Sequence, residues 1–408
     1  MTKPSITTAP LNDPQLGEAS PRVYALQIAC VEGDPWRTGH LGYVRTGQRV
    51  TFGREPGPSP LEIVEPMLGR AEPMPPIEHP KLSREQLVLE GHAAGIAMTV
   101  VGQPPVTVNG KPVERVMLRP GDLVLVRTCV LLHVVEWPLV LPVPKRVPQV
   151  YWPELGKPTH WGQVGISPAH WSMLDLIAEA ANREGPPSNI LLLGEPGVGK
   201  KLAAEMIHDL SGARGAFVKH NCGNALEIEA LFSQARGGTL LLDELGRLDG
   251  STQHALVRAL DTHVARVIGT TSEGPAKLLT DLLERFPKTV SLSPLAARRD
   301  DLPVLIQSMA PDPKALSPAL VERLMMRSYP GNVRELRNVV TEALLRPSAS
   351  ILPASVPGSE PGDPSKAQIL AALQKTGSNG QRDVAAAARA LGIERDHLRK
   401  LLRRHGIM

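Results

Sequence analysis

The chain has 408 residues, room for two to four domains of about 100 to 200 residues each, which excludes a single small fold. Apolar residues at 42% and charged residues at 21% are those of an ordinary soluble chain, while 40 prolines and 36 glycines point to several modest cores joined by proline-rich connectors. The formal net charge of +4 is small but uneven, since residues 377–408 alone carry seven Lys/Arg against three acids. The most apolar stretch, residues 123–143, is interrupted by Arg127, His133, Glu136 and two prolines, so it does not supply the roughly 20 apolar residues of a spanning helix. The first residues lack an apolar signal core. Cys30, Cys129 and Cys222 show neither metal-ligand spacing nor a disulfide framework, so a cytoplasmic, reducing setting without membrane contact is expected.

Residues 1–20 are expected to be disordered, and residues 21–137 to form a β domain of short β-rich runs separated by glycines. VTFGRE (residues 50–55), KLSREQLVLE (81–90), VTVNGKPV (106–113) and LRPGDLVLV (118–126) follow one another in the order and spacing of a forkhead-associated (FHA) domain, which this region resembles. The resemblance implies an FHA-like β-sandwich in which Arg54 and Ser83 donate hydrogen bonds to the phosphate of a phosphothreonine protein, a charge-assisted contact, while Asn109 pins loops together. Two departures stand out. The family's histidine in the second motif is Gln86, and its peptide-contacting Thr-Asn pair falls on Gln103 and Pro104, and proline has no N–H to donate. A sandwich serving as a protein contact or regulatory lid stays open.

Residues 138–166 are proline-rich and read as a stiff, extended linker. Ser167-Pro168 then carries the N-cap and first-turn chemistry of a helix start, and alternating strand and helix patterns over residues 167–346 predict a parallel α/β core. Within it the apolar strand NILLL (189–193) runs into GEPGVGK (194–200) and then a helical stretch. That order of strand, glycine loop and helix makes a phosphate-binding loop: Gly194, Glu195, Gly197, Val198 and Gly199 bring backbone amides to phosphate oxygens, and Lys200 reaches the β and γ phosphates of ATP. Lys201 stands where a magnesium-holding Ser or Thr usually follows. Downstream, GGTLLLDEL (237–245) is a buried strand ending in two acids, Asp243 to hold Mg2+ through water and Glu244 as general base for the attacking water. A glycine turn capping a helix, and a strand simply leaving the core, are the plainer readings of the two motifs.

Taken together, GEPGVGK, FVKHNC (217–222) and YPGNVRELRNVV (329–340) resemble the AAA+ domain of bacterial enhancer-binding proteins, the activators of sigma-54 RNA polymerase. The resemblance implies an ATP-binding α/β domain with a helical lid. It makes Asn221 a switch for the catalytic glutamate, Arg334 a γ-phosphate contact from the lid, and Arg285 a finger donated to the neighbouring subunit of a homo-oligomeric ring. Arg285 is equally readable as a surface arginine on an amphipathic helix. The family's long insertion with a GAFTGA loop, which engages sigma-54, has no counterpart, because ALFSQ (230–234) runs almost directly into ARGGTLLLDEL. A second finger arginine is replaced by Leu279, and the sensor I asparagine by Ser272.

Residues 347–365 form a second linker, and residues 366–408 contain apolar positions at helical spacing for three short helices, the last two separated by a glycine turn. Arg395, His397, Arg399, Lys400, Arg403 and Arg404 lie between the apolar positions of the last helix, where they could meet the phosphates and base edges of double-stranded DNA or simply form a solvated face. AAAARALGIERDHLRKLLRRHGI resembles the Fis-type helix-turn-helix that ends enhancer-binding proteins. The whole reads as a multidomain transcriptional regulator with an FHA-like β-sandwich, an α/β AAA+ P-loop domain and an all-α DNA-binding tail, with RNA polymerase a possible partner. An AAA+ ATPase remodelling another partner, and a phosphopeptide scaffold with a vestigial ATPase, are the alternatives.

Overall fold

The computed structural model describes residues 22–181, 188–263 and 265–345. The chain divides into two compact units, Met1–Met325 with Tyr329–Pro347, and Met326–Ser328 with Ser348–Met408. The predicted helix-turn-helix, with Arg395, His397, Arg399, Lys400, Arg403 and Arg404, lies outside the described residues.

Twelve strands come first: β1 (Arg22–Val31), β2 (Leu41–Val44), β3 (Arg49–Phe52), β4 (Ile63–Met67), β5 (Arg70–Met74), β6 (Leu87–His92), β7 (Gly95–Val100), β8 (Val106–Val108), β9 (Lys111–Pro112), β10 (Arg115–Leu118), β11 (Leu123–Val126) and β12 (Val130–Pro138). They form two antiparallel sheets, β5-β4-β2-β1-β12-β11-β8-β9 and β10-β7-β6-β3. Leu26, Ile28 and Val44 of the larger sheet share one core with Val50, Phe52, Leu89 and Met98 of the smaller, a β-sandwich arrangement. β6 shows the alternation that a half-buried strand requires, Leu87, Leu89 and Gly91 being buried and their neighbours less so. The Asn109-Gly110 pair turns β8 into β9 with positive φ at both residues, as a tight hairpin demands. Asn109 does pin loops: its Nδ2 donates to Asp122 at 2.8 Å and its Oδ1 accepts the Leu123 N–H at 2.9 Å.

β1 does not alternate. It is buried on both faces because the back of the larger sheet is covered as well: Ala25, Leu41, Val135 and Trp137 pack with Leu141, Ile166 and Val304. Residues 138–166, predicted to be a stiff, extended linker, are anchored along their length. Leu141, Val147, Trp161 and Ile166 are buried, and the Trp161 indole donates to Asp209 at 2.8 Å. Four large apolar side chains on a short segment gain more by packing than by remaining in water.

The second half contains α1 (Pro168–Ala181), β13 (Ile190–Leu193), α2 (Lys200–Ser211), β14 (Phe217–Asn221), α3 (Ile228–Gln234), β15 (Thr239–Asp243), α4 (Gly250–Thr262), β16 (Arg266–Thr271), α5 (Thr280–Glu284), β17 (Lys288–Ser291), α6 (Leu302–Met309), α7 (Pro318–Met325) and α8 (Asn332–Leu345). The strands form one sheet ordered β14-β15-β16-β13-β17, parallel throughout, as the alternating pattern predicts. Leu240, Leu241 and Leu242 of β15 are fully buried, which suits a central strand covered on both faces. Ser167 caps α1, its Oγ accepting the His170 N–H at 3.1 Å. The same hydroxyl donates to the buried carboxylate of Asp301, which also accepts the Ile166 and Ser167 amides at 2.8 Å each and so ties the start of α1 to the start of α6.

The sandwich rests on this second half through a polar seam. Gln27 of β1, fully buried, donates from Nε2 to the Asp300 carbonyl at 2.9 Å, while its Oε1 lies 3.0 Å from His133 Nδ1 on β12. Burial, helped by the charge of Arg299, lowers the His133 imidazole to about 3, so it is neutral here and donates to Gln27.

Candidate nucleotide site

Parallel strands end together, so the loops after β13, β15 and β16 converge at one edge of the sheet, the usual place for a ligand in an open α/β fold. The loop after β13 closes on α2 with Gly194, Gly197 and Gly199 all at positive φ. Gly197 has a further reason to be glycine: a Cβ there would lie 2.2 Å from the Gly331 carbonyl oxygen. That contact comes from the start of α8, so loop and lid meet backbone to backbone.

Lys200 points back under the loop, its side chain 7% exposed, and donates to the Gly194 carbonyl at 2.8 Å, the Glu195 carbonyl at 3.4 Å and Ser272 Oγ at 2.6 Å. Its ammonium is also 3.4 Å from Glu244 Oε1. Glu244 follows β15 in the left-handed region, φ 63° and ψ 60°, and its carboxylate accepts the Ser272 hydroxyl at 2.6 Å and the Ser272 amide at 3.2 Å. A non-glycine residue held there is strained, a cost of about 1–3 kcal/mol that surrounding contacts must offset. The Glu244 amide donates to Thr270 Oγ1 at 2.9 Å, and that hydroxyl donates to Asp243 Oδ1 at 2.7 Å.

Opposite the loop, the lid contributes Asn332, fully buried at φ 54°. Its Oδ1 accepts the Leu295 amide at 2.7 Å and its Nδ2 donates to Glu195 Oε2 at 2.9 Å and the Pro196 carbonyl at 3.1 Å. One side chain thereby holds the lid on the phosphate-binding loop. Arg334 and Arg337 follow on α8 and face the same cavity of about 800 Å³, within the size range of small-molecule sites. The apolar wall of the cavity includes Met173, Ile177 and Leu305.

Most of the predicted site residues are therefore neighbours: Gly197, Val198, Gly199, Lys200, Lys201, Asn221, Asp243, Glu244 and Arg334 all border the cavity, with Gly194 and Glu195 beneath it holding Lys200. Asn221 sits differently from the expected glutamate switch. Its Oδ1 accepts the Gly223 amide at 2.9 Å and its Nδ2 lies 3.5 Å from Asp243, while Glu244 is held by Ser272. Arg285 is not on the cavity. It caps α5 and forms a two-pronged ion pair with Asp261 of α4, Nε to Oδ1 at 2.7 Å and Nη2 to Oδ2 at 3.1 Å, which raises the guanidinium and lowers the carboxyl from their ordinary values.

Sequence reasoning missed Ser272 as the partner of Glu244, Asn332 as the clasp, and Arg298 and Arg337 as basic groups on the cavity. The positions of Asn332 and Arg337 inside YPGNVRELRNVV were the available signal. Burial, with the charges of Asp243 and Glu244, pushes the thiol of Cys222, beside the acids, up to about 12, which disfavours its reactive thiolate form.

The magnesium reading of Asp243, through water, meets an ammonium already seated on that carboxylate. Mg2+ takes about six oxygens at roughly 2.0–2.1 Å. Here the loop offers no hydroxyl after Lys200, Oδ1 of Asp243 is engaged by Thr270, and Oδ2 is 3.0 Å from the Lys201 ammonium. Among the described residues no group of three or more His, Cys, Asp or Glu is placed to hold a metal.

At the other predicted phosphate site two loops bring the arginine and the serine together. Backbone bonds from Arg54 N to the Ser83 carbonyl and from Glu55 N to the Arg84 carbonyl, each 3.1 Å, bring Arg54 and Ser83 side by side. The Arg54 guanidinium is 3.8 Å from Glu55, and Ser83 Oγ accepts the Gln103 amide at 3.0 Å. Gln86 bridges the same loops, accepting the Ser83 amide and donating to the Gln103 carbonyl. Among the described residues no helix is long and apolar enough to cross a membrane.

Comparison with known proteins places the cavity in context. Residues 164–285 match the family described as Sigma-54 interaction domain, and residues 296–359 match AAA+ ATPase lid domain. The transcriptional regulatory protein ZraR of Klebsiella oxytoca is 30% identical over 306 residues, 58% of this chain and 68% of that protein. The transcriptional activator RocR of Bacillus subtilis (strain 168) is 30% identical over 230 residues, 44% of this chain and 49% of that protein. The chain thus spans about half the length of RocR, and 44% of the formate hydrogenlyase transcriptional activator of Salmonella typhimurium. The crystal structure of NtrX from Brucella abortus in complex with ATP is 27% identical, covering 59% of this chain and 68% of that one, with a TM-score of 0.40.

Proposed function

Because the chain belongs to the sigma-54-dependent transcriptional activators, we propose that it is a transcriptional regulator that binds ATP in the cavity between the phosphate-binding loop and α8, and binds DNA through residues 366–408. The observation that carries this reading is the convergence of Lys200, from the loop, and Arg334, from the lid, on one cavity. In the proposed complex the triphosphate lies along the amides of the loop, the Lys200 ammonium exchanges its carbonyl partners for phosphate oxygens, and Arg334 meets the terminal phosphate. The base occupies the apolar wall. Because Asn332 already joins lid and loop, the bound phosphate and the lid position are coupled.

The output is assembly: ATP favours a homo-oligomeric ring, with Arg285 released from Asp261 to reach the neighbouring subunit, and a ring gathers several weak DNA-binding tails into one tight complex. The usual sigma-54 contact loop is not the route. Only residues 235–238 separate α3 from β15, which supports action on RNA polymerase, if any, through another surface. Nucleotide acts here as a switching ligand, a reading supported by both oxygens of Glu244 being held by Ser272 rather than facing the cavity unpartnered.

The test is titration of operator DNA with the full chain, with and without ATP, beside Lys200→Ala. Tighter DNA binding with ATP that disappears in the variant is the expected result. DNA affinity indifferent to ATP in the wild-type chain would overturn the proposal.

A further inference from the structure

The residue after Lys200 adds a positive charge to this pocket. A phosphate-binding loop ordinarily places a Ser or Thr hydroxyl there as a magnesium ligand; this chain places Lys201, on the first turn of α2. Its ammonium lies 3.0 Å from Asp243 Oδ2, the carboxylate oxygen that would otherwise face a cation, and 56% of the Lys201 side chain is exposed on the cavity side. Both Asp243 oxygens already have partners: Oδ1 accepts Thr270 Oγ1 at 2.7 Å, and Asn221 Nδ2 stands 3.5 Å from Oδ2. Glu244 is equally engaged, by Ser272 and Lys200. A divalent ion entering this place would compete with the Lys201 ammonium for Asp243 Oδ2 and would find no hydroxyl at the position after Lys200.

Resting on the ATP reading above, we propose that Lys201 is the resident counter-ion of the site: its ammonium takes the place of Mg2+, and the pocket binds nucleoside triphosphate without a divalent metal. The chemistry suits the exchange. A lysine is a compact point charge on a flexible four-carbon stem, so the ammonium that neutralises Asp243 in the empty pocket can swing to the β and γ phosphate oxygens when they arrive. Two lysines in sequence and Arg334 across the cavity then supply the positive charge that a loop with one lysine draws from metal.

The experiment is equilibrium binding of a fluorescent ATP analogue to the full chain in Mg2+ buffer and in EDTA, with thermal melting in the same two conditions as an independent readout. The expected result is an affinity that differs by less than about threefold between the buffers, with ATP raising the melting temperature equally in both. Lys201→Thr restores the hydroxyl and removes the charge; it is expected to bind about tenfold or more weakly in EDTA and to recover when Mg2+ is added. An affinity for the wild-type chain that collapses by tenfold or more in EDTA overturns the counter-ion assignment while leaving the ATP reading intact. No binding in either buffer overturns the ATP reading itself, and the assignment with it.

Discussion

The pocket beside Lys200 and the loop edge beside Arg54 are both candidates for reading a phosphate, and they present their donors differently. At the pocket, elements distant in sequence aim charged groups into one cavity, and Lys200 is held by carbonyls and a hydroxyl that a phosphate can replace. At the sandwich edge, Arg54 Nε is buried without a hydrogen-bond partner, 3.8 Å from Glu55, and the Ser83 hydroxyl accepts the Gln103 amide, which leaves its own hydrogen free to donate. The difference lies in enclosure: the pocket gathers donors from loop and lid around one cavity, whereas at the sandwich edge Arg54 and Ser83 belong to two loops joined by backbone hydrogen bonds.

The comparison breaks most sharply at Lys200. Lys200→Ala is expected to weaken nucleotide binding about 100-fold, the loss of roughly 2.7 kcal/mol from a charge-assisted contact, with calorimetric titration as the check. Retained affinity would move the site elsewhere. Next in size is the clasp: Asn332→Ala leaves the buried Leu295 amide without its acceptor and is expected to cost about 2 kcal/mol in urea unfolding, and to loosen the lid. An unchanged midpoint would show that the lid is held by packing alone.

A smaller effect sharpens where the sandwich contributes. The neutral His133 has a folded pKa of about 3 against an ordinary 6.5, so the unfolded chain takes up a proton that the folded chain refuses. Its contribution is full above pH 6.5 and is lost as pH falls toward 3, by up to about 1.4 kcal/mol per pH unit. Asp300 at the same seam is raised to about 6, chiefly by burial, and works in the other direction. Unfolding midpoints between pH 7 and 4 should therefore fall less steeply in His133→Gln than in the wild-type chain; equal slopes would remove His133 from the account. The smallest effect belongs to the loop edge: Arg54→Ala is expected to change stability by less than about 0.5 kcal/mol and nucleotide affinity not at all, as an exposed pair implies. A large loss there would show that the edge holds more than its own loops.

Much of this was legible from residues alone because it is local chemistry. NILLL before GEPGVGK dictates a strand, a glycine loop and a helix, and Ser167-Pro168 caps a helix wherever it occurs. The apolar run ahead of Asp243 required a buried strand. What was not legible lay between segments. The proline-rich residues 138–166 read as a spacer because their own pattern is irregular, and they are anchored because Trp161 finds Asp209 and Leu141 finds the back of the larger sheet.

The sequence by itself determined which elements form and that a phosphate-binding loop stands between two of them, since periodicity, capping and glycine conformations act over a few residues. The tertiary structure decided which side chains answer which. Lys201, Asp243 and Thr270 are far apart in the chain, and they meet because β15 and β16 run parallel in a register that pairs Leu242 with Gly269 and so ends Asp243 beside Thr270, with α2 entering from β13. Strand register is set by the packing of the whole sheet, so the neighbours of a carboxylate at a strand tip, and with them its choice between a metal and an ammonium, exist only once the sheet is assembled.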